Sequence, residues 1–283
     1  METKRPFKLK QIFCVVRAKI LDRDITYVLI DTFNHQLSSY ALEKSQQRFP
    51  LDNVLIFSDT EDKWAGREVV LISEIKNIRD YNKVVFYELP NHLKTSHALM
   101  IQFDGYVLSA NFFSEHFLSY DFVGAPWPHH QTHNVGNGGF SLRSKALIES
   151  VQNFLLPEDL LDPEDLVICR YLRSRLEDKL GLRFAPESIA QTFSYELSKT
   201  DLKTFGFHGV FHLPFVMQDD IETLFSFIHP HSVAKYFRSF RDACGSLPAE
   251  GQQLFQNYCN ANMSEMLKYA ESAAKKQSLS GCF

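Results

Sequence analysis

Three short apolar runs of the sequence each end at or just before an aspartate, and these aspartates are Asp31, Asp59 and Asp104. Carboxylates at the ends of strands are natural ligands for a hard divalent cation such as Mg²⁺ or Mn²⁺, which in turn binds phosphate oxygens. Gly105 follows Asp104 directly, and a glycine lets a ligand approach the backbone closely. The alternative for Asp104 is an ordinary turn aspartate.

A glycine-rich segment, Gly136-Asn-Gly-Gly139, places three glycines in four positions. Such freedom is typical of a tight turn or of a close backbone approach. The segment has neither the spacing of a dinucleotide-binding GxGxxG motif nor the lysine of a P-loop. Trp127 lies just upstream in Gly-Ala-Pro-Trp-Pro, where its ring either faces a sugar or packs in the core.

Two adjacent acids, Glu164 and Asp165, follow Pro163 and predict the first turn of a helix with Leu166, Cys169, Leu172 and Leu176 on its apolar face. The helix dipole keeps such a carboxylate ionised, so it could accept a proton from a bound hydroxyl. The alternative is a capping role. His208 is an isolated histidine in an apolar setting, which is also typical of a core residue.

The histidines at 129, 130 and 133 match no zinc motif, because their spacing is neither HExxH nor that of a zinc finger. We interpret them as part of a solvated loop.

Strands alternate with helices along the first half of the chain. Strands are predicted over residues 11–16, 25–30, 53–57, 68–72 and 98–103, and helices over 35–49 and from 81 to 98 with a break near Pro90. This order predicts an α/β fold with a mixed, mainly parallel sheet flanked by helices, whose ligand crevice lies at the carboxyl ends of the strands. The three strand-end aspartates would then share one rim. Beyond residue 207 the pattern becomes helical.

The composition excludes several classes of function. The 283 residues carry 30 Lys and Arg against 34 Asp and Glu, a net charge of -4, so the chain has no basic field for nucleic acid. Neither a signal peptide nor a membrane span is evident, and five scattered cysteines without a CxxC pair indicate reduced thiols. A cytoplasmic location is therefore expected. The 25 phenylalanines predict either a large aromatic core or an aromatic-lined site.

The strings at residues 101–107, 117–127, 135–144, 163–165 and 205–209, taken in order, closely resemble an uncharacterised glycosyltransferase-like domain family. The most specific of them read Gly-Ala-Pro-Trp and Gly-Asn-Gly-Gly-Phe-Ser-Leu-Arg-Ser. That family looks like a branch of the GT-A nucleotide-sugar transferases. The resemblance covers roughly residues 81–211, and the residues before it match only as a generic strand-helix-strand start.

The resemblance implies a GT-A-like catalytic domain over residues 1–215 and a helical extension over 216–283. In GT-A enzymes a DxD-type carboxylate holds Mn²⁺ or Mg²⁺ on the donor diphosphate, and Asp104 stands in that place, with one acid where the full motif has two. His208 matches the late histidine that completes the metal site in many GT-A proteins. The metal ligands implied are therefore Asp104 and His208.

The resemblance also assigns roles to other residues. Asp165 first and Glu164 second correspond to the acid that serves as the base of inverting transferases. A retaining mechanism is the alternative if no acid lies on the acceptor side. The residues expected to bind the donor lie at strand ends, in the glycine segment, or shortly after it. They are Asp31, Thr32, Asp59, Asp104, Gly138, Gly139 and Arg143. Acceptor binding falls to Trp127 and Asn137.

The function expected from this reading is metal-assisted transfer of a sugar from a nucleoside-diphosphate sugar, with UDP as the expected nucleotide, to the hydroxyl of a carbohydrate or other acceptor. One alternative is a binding module for nucleotide sugars that has lost catalysis. Another is a metal-dependent phosphoesterase or nucleotidyltransferase using the same strand-end acids. The C-terminal helices are candidates for a homodimer interface.

Overall fold

The computed structural model describes residues 24–64, 66–197 and 203–280, with side chains up to residue 272. Between His208 and Gly209 the chain divides into two compact units. The sequence predicts a catalytic domain over residues 1–215 and a helical extension over 216–283. This domain assignment stays a prediction. The predicted strand over 11–16 lies outside the described residues.

Unit 1 is built on a six-stranded sheet of order β3-β2-β1-β4-β6-β5. Strands β1 to β4 are parallel, and β6 runs antiparallel to both β4 and β5. The strands are β1 Ile25–Ile30, β2 Val54–Ser58, β3 Val69–Leu71, β4 His97–Ile101, β5 Phe122–Val123 and β6 Ser141–Ser144. A separate parallel pair is formed by β7 Ser194–Tyr195 and β8 Gly206–Phe207. The predicted mixed, mainly parallel sheet is confirmed.

Helices flank this sheet. The α-helices of unit 1 are α1 His35–Arg48, α2 Ile78–Lys83, α3 Leu89–His92, α4 Lys145–Val151, α5 Glu164–Leu166, α6 Arg173–Leu180 and α7 Glu187–Phe193. Wider π-helical turns, Val84–Glu88 and Val167–Tyr171, join α2 to α3 and follow α5. Short 3₁₀ turns are Ala110–Phe112, Glu115–Ser119, Gln152–Phe154 and Pro157–Leu161.

The helix predicted over 93–98 is wrong. Leu93 is extended, and β4 begins at His97 because the run that follows pairs with β1, with Ile25 opposite His97. The apolar face predicted for the helix after Pro163 is also wrong at Leu166, which is half-buried, whereas Val167 and Ile168 are buried. The wide turn at 167–171, closed by the amide of Leu172 on the carbonyl of Val167, shifts the face.

Both faces of the sheet are buried, which explains why β1 is an uninterrupted apolar run. Val28 and Ile30 pack into one core, whereas Ile25, Tyr27 and Leu29 pack into the other. This alternation is the two-residue period of a strand.

The second core is rich in phenylalanine, which accounts for much of the phenylalanine surplus. Phe140 lies 5.1 Å from Phe193 and 5.7 Å from Phe205, measured between ring centres. A Cβ on Gly206 would meet the Phe140 ring at 2.3 Å, so this glycine gives the ring its space. Phe140 directly follows the glycine segment, and its burial therefore anchors that segment to the core.

Unit 2 is helical, as predicted. Its α-helices are α8 Leu213–Val216, α9 Ile221–Phe227, α10 Pro230–Lys235, α11 Phe237–Cys244 and α12 Ala249–Ser280, and its 3₁₀ turns are Val210–His212 and Gln218–Asp220. The shorter helices α9, α10 and α11 contact α12. Within the described residues, no helix is both long and apolar enough to cross a membrane.

Candidate functional site

Asp104 lies on a tight turn at the carboxyl end of β4. The turn is closed by two backbone hydrogen bonds between Gln102 and Gly105, of 2.8 and 3.0 Å. The Asp104 side chain is buried. The residue is thus both a turn aspartate and an aspartate at the end of a buried central strand, so the two readings from the sequence are compatible.

The short strand β8 brings His208 to this turn. Gly206 and Phe207 pair with β7, and the amide of His208 donates to the carbonyl of Tyr195 at 2.9 Å. A Cβ on Gly105 would lie 2.9 Å from the His208 ring, which shows how closely the two segments approach.

Polar side chains surround the His208 ring on both nitrogens. Nε2 lies 3.6 Å from Asp104 Oδ1 and 3.3 Å from Gln102 Oε1, while Nδ1 lies 3.1 Å from Glu196 Oε1. Burial alone would lower the pKa of His208, but the carboxylates of Asp104 and Glu196 outweigh it and raise this pKa to about 9.

These donors fit a divalent cation. A carboxylate oxygen, an amide oxygen and an imidazole nitrogen converge at the end of β4, and this mixture of oxygen and nitrogen suits Mn²⁺ or Mg²⁺. A bound ion would require His208 to give up its Nε2 proton. Asp104 would supply a charged oxygen ligand and His208 a nitrogen ligand, and oxygens of Gln102, water or a diphosphate would suit the remaining positions.

The glycine segment lies between this group and the acids at 164 and 165. A Cβ on Gly139 would sit 2.1 Å from His208 Nε2, and a Cβ on Gly138 would sit 2.0 Å from Glu164 Oε1. Asn137 adopts a left-handed backbone with φ of 74°, and its side-chain amide lies 2.9 Å from His208 Nδ1. Both glycines are therefore required by close packing, and Asn137 is buried against His208.

Arg143 and Glu164 form a buried ion pair. Arg143 donates through Nη2 to Glu164 Oε1 at 2.6 Å and to the carbonyl of Gly138 at 3.2 Å, and its side chain is 1% exposed. Glu164 is 6% exposed. Burial disfavours the charge of Arg143, yet Glu164 outweighs it and raises the pKa of the guanidinium. Through these contacts with Gly138, the ion pair fixes the position of the glycine segment.

Asp165 has different surroundings. It is half-buried, and its Oδ2 accepts the backbone N–H of Gly138 at 2.9 Å while Oδ1 accepts that of Leu166 at 2.8 Å. Burial, and secondarily the negative charge of Glu164, raises the pKa of Asp165 to about 6. The carboxylate is therefore ionised at neutral pH but binds a proton more readily than an ordinary aspartate.

A cleft of about 190 Å³ opens at the carboxyl end of β1. Asp31 and Thr32 line it, as do Tyr81, Gln102 and Phe103. Gln102 donates to the Tyr81 hydroxyl at 3.2 Å, so the cleft is continuous with the group around Asp104. Burial raises the pKa of Tyr81, which keeps this phenol protonated.

The strand-end acids near the cleft already have protein partners. Asp31 accepts the backbone N–H groups of Phe33 and Asn34 at the start of α1, and burial raises its pKa. Thr32 accepts the amide of Ile75 at 3.0 Å. Asp59 lies apart from the residues lining the cleft and pairs with His35 at 2.8 Å.

Trp127 is only 7% exposed. A Cβ on Gly136 would lie 2.1 Å from its ring, so the indole packs over this glycine. His129 is exposed and stacks near His130, with ring centres 4.2 Å apart.

Sequence reasoning missed Glu196, Gln102 and Tyr81. Gln102 could have been predicted, because it stands two residues before Asp104 at the end of the same apolar run. Glu196 and Tyr81 carry no comparable local pattern.

Residues 68–208 match the model of the family described as "Protein of unknown function (DUF5672)". No curated protein sequence matches the chain significantly. The predicted resemblance to an uncharacterised domain family is confirmed.

Three solved structures resemble part of the chain at low identity. One is a glycosyltransferase involved in the glycosylation of the major capsid of PBCV-1, with a TM-score of 0.40, 12% identity and coverage of 65% of this chain and 94% of that chain. Another is mannosyl-3-phosphoglycerate synthase from Rubrobacter xylanophilus, with a TM-score of 0.33, 15% identity and coverage of 47% and 57%. A third is the galactosyltransferase LgtC in complex with donor and acceptor sugar analogs, with a TM-score of 0.35, 8% identity and coverage of 65% and 86%.

Proposed function

We propose that this chain, whose residues 68–208 match the DUF5672 family, transfers a sugar from a nucleoside-diphosphate sugar to an acceptor hydroxyl. The expected nucleotide is UDP, the expected cation is Mn²⁺ or Mg²⁺, and the expected stereochemical course is inversion.

One observation carries this proposal. The turn Gly138-Gly139 separates two polar groups, with Asp104, His208 and Gln102 against Gly139 and with Asp165 bonded to the amide of Gly138. Nucleotide-sugar transfer needs a cation-binding group for the leaving diphosphate and a carboxylate for the attacking hydroxyl. The proximity of these two groups to one backbone turn supports the proposal.

The donor is proposed to lie across the cleft at β1 and the end of β4. Thr32 and Tyr81 would contact the nucleotide, and Asp104 with His208 would hold the cation. When bound, the cation neutralises the negative charge that grows on the departing diphosphate. Because Gly139 has no side chain, its backbone packs directly against His208 and Gln102, beside the proposed cation site.

Asp165 is proposed as the base. It accepts the proton of the acceptor hydroxyl while the new bond from that oxygen to the anomeric carbon forms and the bond from this carbon to the diphosphate breaks. The amide of Gly138 orients Oδ2 of Asp165, and general-base catalysis of this type contributes about 10² to 10⁴ in rate. Glu164 is committed to Arg143 and is a weaker candidate.

A screen of nucleotide sugars for hydrolysis tests the proposal without knowledge of the acceptor. The full chain with Mn²⁺ should release free sugar and nucleoside diphosphate from one donor, and Asp104→Ala should remove the activity. Glu177→Gln is the control, because Glu177 pairs with Arg173 on α6 and neither residue belongs to the proposed site. Donor binding without turnover would favour the inactive module, and release of sugar phosphate with UMP would favour a phosphoesterase.

A further inference from the structure

Unit 2 contains a group of metal-ligating side chains that the proposed function does not use. It consists of His229, His231 and Glu265, whose ligand atoms all lie within 4.8 Å of one another. Within the described residues this is the one such group of three or more His, Cys, Asp or Glu side chains. We name it the His-His-Glu cluster.

Helix spacing brings the three residues together. His229 and His231 flank Pro230, the first residue of α10, while Glu265 lies on α12. Tyr258 and Tyr269 stand seven residues before and four residues after Glu265, so all three share one face of α12. This face of α12 is the one turned toward residues 228–231.

Two contacts fix the cluster in place. The buried Tyr258 hydroxyl donates to the carbonyl of Ile228 at 3.1 Å, immediately before His229. The His231 ring stacks on Tyr269, with centres 4.9 Å apart and planes 28° apart. The backbone before the first histidine and the ring of the second are therefore both held against α12.

The distances within the cluster suit a bound ion better than direct hydrogen bonds. His229 Nε2 and His231 Nε2 lie 3.7 and 3.6 Å from the same oxygen, Glu265 Oε1. Hydrogen bonds between nitrogen and oxygen are about 2.7 to 3.2 Å long. Ligands bonded to tetrahedral zinc at about 2.1 Å lie about 3.4 Å from each other.

We propose that the His-His-Glu cluster binds one zinc ion through the two histidine rings and Glu265, with water as the fourth ligand. Two imidazoles with one carboxylate favour Zn²⁺ over Mg²⁺, Ca²⁺ or Mn²⁺. The side chains of His229, His231 and Glu265 are 30%, 42% and 47% exposed, respectively. This exposure leaves room for the water ligand and for entry of the ion. The ion links the start of α10 to the middle of α12.

Binding through Nε2 changes the hydrogen bonding of His229. Without an ion, its Nδ1 accepts the backbone N–H of His231 at 3.2 Å, so the neutral ring carries its proton on Nε2. With an ion on Nε2, the proton resides on Nδ1 and this hydrogen bond is lost. Because zinc binding costs this hydrogen bond, we expect weaker zinc binding than at a site whose histidines already donate their other ring N–H to an acceptor.

The site is tested on the full chain, stripped of metal and carrying Asp104→Ala so that the proposed cation site in unit 1 is disabled. Calorimetry with ZnCl₂ should show one equivalent bound, and saturating zinc should raise the melting temperature by roughly 3 °C or more. Mn²⁺ at the same concentration should have little effect.

Variants decide whether these residues are the ligands. His231→Gln and Glu265→Gln should each weaken zinc binding by at least about 100-fold, since loss of a residue that only hydrogen-bonds to a metal ligand already costs 10- to 100-fold. Their metal-free melting temperatures control for folding. The double variant His129→Ala and His130→Ala, which removes the two neighbouring histidines of unit 1, should bind zinc normally. Unchanged zinc binding by the first two variants, or its loss in the double variant, would overturn the proposal; neither result depends on transferase activity.

Discussion

Asp165 and Glu164 are neighbours in the sequence, but the structure gives them different partners. Glu164 is buried against Arg143, whereas Asp165 is half-buried and bonded to the amide of Gly138. Glu164 in turn raises the pKa of Asp165 through its negative charge. The first acid therefore shapes the environment in which the second is proposed to react.

The pH dependence of activity should report on Asp165. A base must be ionised to accept a proton, and the pKa of Asp165 is raised to about 6. At saturating Mn²⁺, which removes the competing effect of the His208 proton, kcat/KM should therefore be level above this pH and fall below it. Asp165→Asn should lower kcat by about 10² to 10⁴ and remove this acidic limb. A residual acidic limb near pH 6 in this variant would show that another group is the base.

Loss of the Glu164 charge should destabilise the protein strongly. Glu164→Gln leaves the buried guanidinium of Arg143 without a counter-charge, and breaking such a pair costs about 3 to 5 kcal/mol of unfolding free energy. The matched control is Glu177→Gln, whose pair with Arg173 is more exposed and contributes about 0.5 kcal/mol or less. Urea unfolding measures both, and equal losses would refute the structural role of the buried pair.

Individual site residues could be predicted where the local pattern was strong. Asp104 stands at the end of a run that is buried on both faces, so its position followed from the run. Glu196 could not be found in this way, because it meets His208 only through the two-residue strands β7 and β8, which are too short for a periodic pattern. The different roles of Glu164 and Asp165 depend on Arg143, a partner about twenty residues away in sequence.

At the scale of elements, the turn 136–139 positions both polar groups of the site. Phe140 anchors its end in the aromatic core, and Asn137 bends its backbone into the left-handed region. The sequence predicted a tight turn or a close approach here, and the packing of Gly138 and Gly139 confirms the close approach.

A methyl group at residue 139 should disrupt the site. Gly139→Ala would place Cβ 2.1 Å from His208 Nε2 and 2.7 Å from Gln102 Oε1, which forces these side chains apart. We expect a loss of about 1 to 3 kcal/mol in stability and loss of Mn²⁺-dependent UDP binding, measured by calorimetry.

The matched control for that substitution is Gly245→Ala. A Cβ there meets its nearest atom at 3.4 Å, and the backbone φ of -62° suits alanine. This variant should change stability by less than about 1 kcal/mol and leave UDP binding intact. If Gly139→Ala behaves like the control, the close packing around His208 does not matter for binding.

The strands were easier to predict than the irregular helices, for a physical reason. A strand buried on both faces is a continuous apolar run, and β1 is found where the sequence places it. The π-helical turn Val167–Tyr171 changes the helical period within one segment, so an apolar face projected with a single period fails at Leu166.

At the scale of the whole molecule, the chain divides into two compact units, and the metal sites proposed for them differ in ligand type. The proposed cation site of unit 1 combines a carboxylate and an amide oxygen with one histidine, whereas the His-His-Glu cluster of unit 2 has two histidines. Because imidazole-rich sites favour zinc and oxygen-rich sites favour manganese or magnesium, the two units should respond to different ions.

Hydrogen exchange of the full chain tests this difference directly. Zinc should slow amide exchange in α10 and in α12 around Glu265, because an ion that binds only the folded state lowers the population of open states in the elements it joins. UDP with Mn²⁺ should slow exchange around residues 102–105 and 136–139. His231→Gln should abolish the protection by zinc and preserve the protection by UDP with Mn²⁺. Asp104→Ala should abolish the protection by UDP with Mn²⁺ and preserve the protection by zinc. Zinc protection that survives His231→Gln, or nucleotide protection that survives Asp104→Ala, would show that the ion binds through other residues.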